Sequence, residues 1–276
     1  MNEEEIRKGI REGYGQIATQ GGSCCFPSIS CCGSGVTAET VSRQVGYTAE
    51  EIIGVPEGAN LGLGCGNPLA LAAIREGETV LDLGSGAGFD CFLAARRVGP
   101  SGRVIGVDMT PEMVAKAREN VRKGEFPNVE FRLGEIENLP AADSSVDWII
   151  SNCVINLSLD KQRVFREAWR VLKPGGRMMI SDIVWLREIP QALRDSIGGY
   201  VACLSGAVRR EEYLKAVEDA GFERVRVVEE TAVPFDLFQG DPLGRTLMER
   251  LNLTPEQLQA GIRSVVSIKV EAYKPC

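Results

Sequence analysis

The chain has 276 residues, of which 44% are hydrophobic and 25% are charged, the ordinary balance of a globular enzyme. Acidic residues outnumber basic ones by 38 to 31, and the net charge of −7 argues against a general binder of nucleic acids or anionic membranes. The sequence contains no histidine, which excludes an imidazole general base, a histidine-ligated zinc site and every catalytic triad built on histidine.

The beginning of the sequence lacks the features of a targeting signal. Residues 1–5 are acidic, without the basic and apolar regions of a secretory signal, and no apolar run approaches the roughly 18 residues of a membrane span. We therefore expect a cytoplasmic protein. Nine cysteines in a reducing compartment indicate metal binding or catalysis more often than a disulfide framework.

The chain is predicted to start with a helix and a cysteine-rich loop. Over residues 1–20, apolar side chains recur at the spacing of one helix face. These side chains are Ile6, Ile10, Tyr14 and Ile17. Residues 21–35 are rich in glycine, serine and cysteine and are predicted to form a loop. Thr37 and Thr48 are suited to cap two further short helices, the second with a capping box.

From residue 78 onward, short strands alternate with helices. The predicted strands comprise residues 79–83, 103–108, 129–133, 146–151, 177–184, 222–229 and 265–273. The predicted helices comprise residues 89–98, 160–172 and 210–220, with two more that start at Thr110 and Thr254. This alternation predicts an α/β fold with a Rossmann-like, mostly parallel sheet, helices on both faces and late antiparallel strands.

Three regions are predicted along the chain. Residues 1–70 form the N-terminal helical extension with its cysteine-rich loop, and residues 71–185 form the Rossmann-like core. Residues 186–276 form a smaller α+β region, for which we expect a role as a substrate-binding part or lid.

A glycine-rich turn follows the first strand of the core. It reads D-L-G-S-G-A-G over residues 82–88, and its glycines let a ligand approach the backbone at the start of a helix. The dinucleotide motif G-x-G-x-x-G differs, because its third glycine comes one residue later. Asp108 ends the next strand, where a carboxylate can bind both hydroxyls of an adenosine ribose.

The segment V-L-D-L-G-S-G-A-G-F-D resembles the S-adenosylmethionine-binding loop of the class I methyltransferases. The resemblance continues through G-V-D-M, G-E-I-E and L-K-P-G-G. It implies S-adenosylmethionine as the cofactor, with the glycines beside its methionine portion, Asp108 on its ribose, Met109 and Ile136 around its adenine, and Glu135 near the adenine amino group. The implied cofactor-binding residues are Asp82, Gly84, Ser85, Gly86, Gly88, Asp108, Met109, Glu135, Ile136 and Asn152.

Three cysteines lie around this core. Cys153 follows the fourth strand, at the carboxyl end of the sheet, where open α/β folds bind ligands. Cys203 comes after the fifth strand, and Cys65 lies in the glycine-rich segment that leads into the core. Thiolates select soft, thiophilic centres, whereas carboxylates and water suit hard ions. Free cysteine is also a frequent core residue, and we expect that packing role for Cys91 and Cys276.

The segments around the three cysteines resemble those of the arsenite methyltransferases. They read G-C-G-N-P, S-N-C-V-I-N-L and Y-V-A-C-L-S-G-A. The family implies that three catalytic thiolates bind trivalent arsenic, here those of Cys65, Cys153 and Cys203. It also implies an N-terminal thiol–disulfide shuttle, for which the candidates are Cys24, Cys25, Cys31 and Cys32. The expected partners are arsenite, methylarsenicals and a thiol reductant of the thioredoxin or glutathione type, with no nucleic acid and no membrane.

Arsenic methylation is chemically consistent with a chain that lacks histidine. Trivalent arsenic has a lone pair that can attack a sulfonium methyl group without loss of a proton, so catalysis would depend on alignment. The product is formally pentavalent, and two thiols can return it to the trivalent state by closing to a disulfide. Two alternatives stay open: a methyltransferase for a small organic acceptor such as a quinone, and a metalloid-binding protein with an inactive methyltransferase scaffold.

Overall fold

One mixed sheet organises the chain. The computed structural model describes residues 3–20, 37–187, 206–232 and 264–276. The strands in these ranges are β1 (Thr79–Leu83), β2 (Arg103–Asp108), β3 (Val129–Leu133), β4 (Val146–Asn152), β5 (Leu172–Trp185), β6 (Glu223–Ala232) and β7 (Val265–Tyr273). They pair in the order β3-β2-β1-β4-β5-β7-β6. Strands β1 to β5 run parallel, whereas β7 is antiparallel to both β5 and β6.

Helices cover both faces of this sheet. Those in the described ranges are α1 (Glu3–Gln20), α2 (Ala38–Gln44), α3 (Ala49–Ile53), α4 (Phe89–Val98), α5 (Pro111–Gly124), α6 (Lys161–Val171) and α7 (Arg210–Asp219). Alternate residues of a strand face opposite sides. Accordingly, Val80 packs in the cluster that contains α4 and α5, and Leu81 packs in the cluster that contains α6 and α7. The predicted α/β fold with a mostly parallel, doubly covered sheet is therefore confirmed.

Most local predictions agree with the structure. Thr37 accepts a hydrogen bond from the amide of Thr40, and Thr48 forms the predicted capping box with Glu51. Strand β5 is longer than predicted: it starts at Leu172, directly after α6, and a shift in its pairing with β4 absorbs the Pro-Gly-Gly turn. No helix within the described ranges combines the length and the apolar character needed to cross a bilayer.

Several predictions fall on residues that the structure does not describe. The cysteine-rich loop at residues 21–35 and the helix predicted from Thr254 lie outside the described ranges. The division of the chain into three regions therefore stays a prediction.

Candidate active site

A cavity lies at the carboxyl ends of β1, β2 and β4. Most of the predicted cofactor residues line it: Asp82, Gly84, Ser85, Gly86, Asp108, Met109, Ile136 and Asn152. Cys153 lines it as well. Gly88 is not among the lining residues; it precedes α4 with a φ of 97°, a conformation that glycine adopts without steric cost. The cavity thus brings the glycine loop, the strand-ending carboxylate and one of the predicted arsenic ligands together.

The glycine loop turns so that its backbone borders the cavity. Gly84 and Gly86 have φ values of 67° and 51°, in the left-handed region. A side chain at Gly84 would overlap Val154, which shows how closely the loop packs against the segment after β4. A Cβ at Gly86, in contrast, would meet no atom of the described residues within 4 Å. Open space therefore lies directly in front of the Gly86 backbone.

Asp108 is held in place by backbone amides of the cavity wall. Its Oδ2 accepts a hydrogen bond from the amide of Gly86 at 2.9 Å, and its Oδ1 accepts one from Thr110 at 2.8 Å. Burial raises the pKa of Asp108, and the two amides oppose that rise. The Thr110 side chain also hydrogen-bonds to this carboxylate. Since a carboxylate offers about four acceptor sites, Asp108 keeps capacity for one further donor. The buried hydroxyl of Ser85 has no hydrogen-bond partner among the described residues. These features fit a ribose with two free hydroxyls.

Alanine at Gly86 is expected to weaken S-adenosylmethionine binding about tenfold or more, because its methyl group would enter the open space in front of the backbone. The left-handed backbone also costs an alanine about 1 kcal/mol of folding stability. Calorimetric titration with S-adenosylmethionine and urea unfolding separate the two effects. The control is Gly77→Ala, an exposed position with a φ of 84°. It should lose similar stability and keep its affinity; equal affinities in both variants would contradict the expectation.

Helix α1 forms one wall of the cavity through Arg7, Ile10 and Tyr14. The guanidinium of Arg7 donates to the carboxylate of Glu135 at 2.8 Å and lies 3.6 Å from that of Glu137. Glu135, which is predicted to lie near the adenine amino group, is paired with α1 and is not among the residues that line the cavity. The contacts of α1 explain why its apolar face is buried at Ile10.

A buried polar network connects the cavity to the segment of Cys65. The hydroxyl of Tyr47 donates to Asp90 at 2.6 Å, and the side-chain amide of Asn152 donates to the other oxygen of Asp90 at 3.1 Å. The amide oxygen of Asn152 accepts a hydrogen bond from the backbone of Cys65 at 3.1 Å, and its nitrogen also contacts the carbonyl of Gly66. Asn152, which is predicted to bind the cofactor, thus holds the backbone of Cys65 in position.

Stability should depend on pH through Asp90. Burial raises the pKa of this carboxyl from 3.8 to about 6, although the Tyr47 and Asn152 hydrogen bonds oppose the rise. The folded state therefore binds the proton more tightly than the unfolded state. Protonation of Asp90 thus adds to the free energy of unfolding; this addition is complete below about pH 4 and is lost as pH rises through about 6. Each unit of difference between the folded and unfolded pKa corresponds to about 1.4 kcal/mol, so protonation of Asp90 adds about 3 kcal/mol to the free energy of unfolding at low pH.

The variant Asp90→Asn isolates this contribution. Relative to the unmodified protein, its free energy of unfolding should increase by about 2 kcal/mol between about pH 4.5 and pH 7, because the asparagine does not titrate. Urea unfolding at several pH values measures the difference. A difference that stays constant over this range would show that Asp90 is ionised in the folded protein throughout.

Two of the predicted arsenic ligands come together beside the cavity. The sulfur atoms of Cys65 and Cys153 and one carboxylate oxygen of Asp182 all lie within 4.8 Å of one another. Metal–thiolate bonds measure about 2.3 Å, so one thiophilic centre can bridge both sulfurs. Cys153 has a φ of 60°, and non-glycine residues in this conformation tend to cluster at functional sites. The geometry therefore provides a paired-thiol site at the edge of the cavity.

Neighbouring strands hold this paired-thiol site in place. The amide of Cys153 donates to the carbonyl of Ser181 in β5 at 2.8 Å, and the thiol of Cys65 lies 3.7 Å from the same oxygen. The hydroxyl of Ser267 in β7 donates to the carbonyl of Cys65 at 2.8 Å. Burial raises the pKa of Asp182 to about 7, against several hydrogen bonds. Both thiols are thus fixed to the sheet by backbone contacts.

The remaining cysteines differ in their surroundings. Cys91 is fully buried in α4 and donates to Asp82 at 3.2 Å, in agreement with the expected packing role. Cys276 is exposed, so the expectation that it packs in the core is wrong; the chain turns it towards solvent after β7. Cys203 and the shuttle candidates lie outside the described residues, and these are Cys24, Cys25, Cys31 and Cys32.

Several residues of this site are not predicted by the sequence. Asp182 lies inside an apolar strand, and a buried Ser-Asp pair in such a run is the signal that could have identified it. Tyr47 gives no comparable signal, because its role depends on contact with Asp90, 43 positions further along the chain. For α1, the apolar face was predicted, but helical periodicity does not say which surface that face covers.

Comparisons with known proteins agree with this geometry. A family model for a methyltransferase domain matches residues 74–221, more than half of the chain. An arsenite methyltransferase from Halobacterium salinarum is 53% identical over 231 residues, which are 81% of this chain and 59% of that protein. The solved structure of an arsenic(III) S-adenosylmethionine methyltransferase from Chlamydomonas reinhardtii is 33% identical, with a TM-score of 0.62, and the match covers 86% of this chain and 73% of that one.

A match to a methyltransferase of another substrate class is shorter. A ubiquinone/menaquinone biosynthesis C-methyltransferase from Klebsiella pneumoniae is 38% identical over 110 residues, only 40% of this chain. The chain spans between 51% and 61% of the length of the arsenite methyltransferases from three organisms. Both predicted resemblances are confirmed: the chain belongs to the S-adenosylmethionine-dependent class I methyltransferases and, within them, to the arsenite methyltransferase family.

Proposed function

We propose that this chain transfers methyl groups from S-adenosylmethionine to trivalent arsenic held by cysteine thiolates. The observation that carries the proposal is the position of Cys153. This residue lines the cavity beside the glycine loop, and its sulfur lies within 4.8 Å of the sulfur of Cys65. A single residue therefore belongs both to the cavity that fits the methyl donor and to a thiol pair suited to a soft acceptor.

The cavity residues would bind and orient the methyl donor. Asp108 would accept hydrogen bonds from the ribose hydroxyls, and Met109 and Ile136 would contact the adenine. The backbone at Gly84 and Gly86 would border the methionine portion, where the open space before Gly86 leaves room for it. When bound, S-adenosylmethionine supplies an electrophilic methyl carbon on a sulfonium sulfur.

The thiols would hold arsenic in line with that methyl carbon. The lone pair of trivalent arsenic is the nucleophile, so no side chain has to remove a proton during the transfer. The contribution of Cys65 and Cys153 is alignment: fixing two reactants in the reactive geometry can remove several kcal/mol, about 7 or more, from a barrier. The bond from the Cys153 amide to the Ser181 carbonyl and the bond from the Ser267 hydroxyl to the Cys65 carbonyl support the required rigidity. Cys203 is proposed as the third thiolate on the basis of the family resemblance.

A thiol reductant would complete the cycle. Methyl transfer takes arsenic from the trivalent to the pentavalent state, and two thiolates can return it by giving up two electrons as they form a disulfide. We assign this step to one or more of the N-terminal cysteines, Cys24, Cys25, Cys31 and Cys32. An external dithiol of the thioredoxin type, or glutathione, would then reduce the disulfide. The cytoplasm is the compartment in which such reductants keep thiols free.

Both alternatives are less well supported. The quinone methyltransferase matches less than half of the chain, and a paired-thiol site has no use in methylation of an organic acceptor. The Asp108 carboxylate beside the open space at Gly86 suits a bound ligand, and an inactive scaffold does not require such an arrangement.

A turnover assay tests the proposal directly. The full chain is incubated with methyl-labelled S-adenosylmethionine, arsenite and a thioredoxin-type reductant, and the arsenic species are resolved by mass spectrometry. Labelled methylarsenicals are expected. Cofactor binding without any methylarsenic product would overturn arsenic as the substrate and would favour an organic acceptor; absence of cofactor binding would favour the inactive scaffold.

A further inference from the structure

We propose that Asn152 is a positioning residue for arsenic methylation: its side chain holds the backbone of Cys65 so that this thiol stays paired with the thiol of Cys153. The inference rests on the proposed function and gives Asn152 a role other than the cofactor contact that the family resemblance implies. Asn152 directly precedes Cys153 in the chain and bonds to the backbone of Cys65, 87 positions away. One residue thus connects both members of the paired-thiol site.

The segment that carries the first of these thiols depends on other segments for its position. Residues 54–67 are all described and form neither a helix nor a strand. A Cβ at Gly64 would lie 2.6 Å from the side-chain nitrogen of Asn152. A Cβ at Gly66 would overlap the hydroxyl of Ser181 in β5. The glycines on both sides of the cysteine therefore let the backbone pass closely between Asn152 and β5.

Asn152 holds this backbone at two points. Its amide oxygen accepts a hydrogen bond from the amide of Cys65 at 3.1 Å, and its amide nitrogen donates to the carbonyl of Gly66 at 2.8 Å. Two bonds from one planar group fix the direction of the backbone as well as its place. The side chain of Cys65 takes its direction from that backbone, and its sulfur lies within 4.8 Å of the sulfur of Cys153.

Asp90 and Tyr47 determine which way the amide of Asn152 points. The amide nitrogen donates to the carboxylate of Asp90 at 3.1 Å and to the hydroxyl of Tyr47 at 2.9 Å, and this hydroxyl donates to the other oxygen of Asp90. Asp90 and Tyr47 are both buried, where such bonds are strong. An amide turned the other way would set its oxygen against these acceptors and lose the bond from Cys65.

These hydrogen bonds leave Asn152 little capacity for the cofactor. Its amide nitrogen has two N–H groups, and three acceptors already lie within hydrogen-bond distance, those of Gly66, Tyr47 and Asp90. Asn152 lines the cavity, but its donors are used within the protein. Loss of this side chain should therefore affect arsenite more than S-adenosylmethionine.

The test measures both ligands in the full chain with the substitution Asn152→Ala. Single-turnover methylation is followed over a range of arsenite concentrations at saturating S-adenosylmethionine, so that only arsenic bound productively is counted. We expect the half-saturating arsenite concentration to rise about tenfold, because one ligand thiol is no longer held in place. The dissociation constant of S-adenosylmethionine, measured by calorimetric titration, should change less than about threefold.

The matched control is Asn120→Ala, which removes the same side chain from another buried position. Asn120 donates to the carbonyl of Ala87 in the glycine loop at 3.0 Å and does not belong to the paired-thiol site. Its half-saturating arsenite concentration should stay within about twofold of the unmodified value.

A second variant, Tyr47→Phe, removes only a hydroxyl and keeps the ring that packs against Phe89. It should raise the half-saturating arsenite concentration about two- to threefold, since Asn152 loses one of the groups that orient its amide. The affinity for S-adenosylmethionine should again stay within about threefold.

Each outcome decides the proposal. A selective effect on arsenite in Asn152→Ala and Tyr47→Phe supports it. An equal or larger loss of cofactor affinity, an unchanged arsenite dependence, or the same effect in Asn120→Ala overturns it. If urea unfolding shows that Asn152→Ala does not fold, Tyr47→Phe decides by the same criteria. If the unmodified chain forms no methylarsenical, the proposed function itself fails, and the inference about Asn152 falls with it.

Discussion

Serine in place of Cys153 is expected to lower the rate of arsenic methylation by a factor on the order of 100 or more, because a misplaced reactant alone can cost that much. The hydroxyl of serine is a hard ligand and does not replace a thiolate on a soft centre. Serine has nearly the shape of cysteine, so the left-handed backbone and the bond to Ser181 should persist. S-adenosylmethionine affinity should therefore stay within about threefold of the unmodified value.

Single-turnover kinetics with arsenite measures the rate, and calorimetric titration measures cofactor affinity. The matched control is Cys276→Ser, which makes the same chemical change at an exposed thiol outside the site. This control should methylate arsenite at the unmodified rate. Turnover that survives in Cys153→Ser would remove Cys153 from the proposed ligand set and leave Cys65 without its partner.

Alanine in place of Asp108 is expected to weaken S-adenosylmethionine binding about 100-fold or more. Hydrogen bonds to a charged acceptor contribute about 1.5–3 kcal/mol each, and every 1.4 kcal/mol corresponds to about a factor of ten. The substitution also leaves the amides of Gly86 and Thr110 without their acceptor, which should loosen the glycine loop.

Arsenite binding is the internal control for Asp108→Ala, since the paired-thiol site does not include this carboxylate. Equilibrium dialysis should find arsenite binding within about twofold of the unmodified chain, and calorimetry should find the loss of cofactor affinity. Unchanged cofactor affinity would mean that the ribose lies elsewhere in the cavity.

The sequence predicts the core strands well and the assembled site only in part. Strands β1, β2 and β3 have the predicted bounds, because short apolar runs between turns carry a strong local signal. The glycine loop and Asp108 were predicted because their spacing along the chain is itself the motif. The sequence does not predict the start of β5, since the shift in its pairing depends on the neighbouring strand β4.

Contacts between distant segments account for what the sequence does not reveal. Asp182 joins the thiols only because parallel β4 and β5 align Asn152 with Ser181. The cavity wall from α1 depends on Arg7 pairing with Glu135, 128 positions away. Neither of these two contacts follows from a periodicity or a fixed spacing along the chain, so a single sequence does not predict them.

The hydrogen bond from Ser267 to the carbonyl of Cys65 has a consequence for how the protein is made. It joins residues 202 positions apart, and Ser267 belongs to the strand that pairs with both β5 and β6. During synthesis the chain folds as it emerges, and contacts of such long range form late. The segment of Cys65 already contacts Asn152 and Ser181, and it gains the bond from Ser267 only when β7 joins the sheet. The paired-thiol site therefore receives its last backbone support only after almost the whole described sheet has been synthesised.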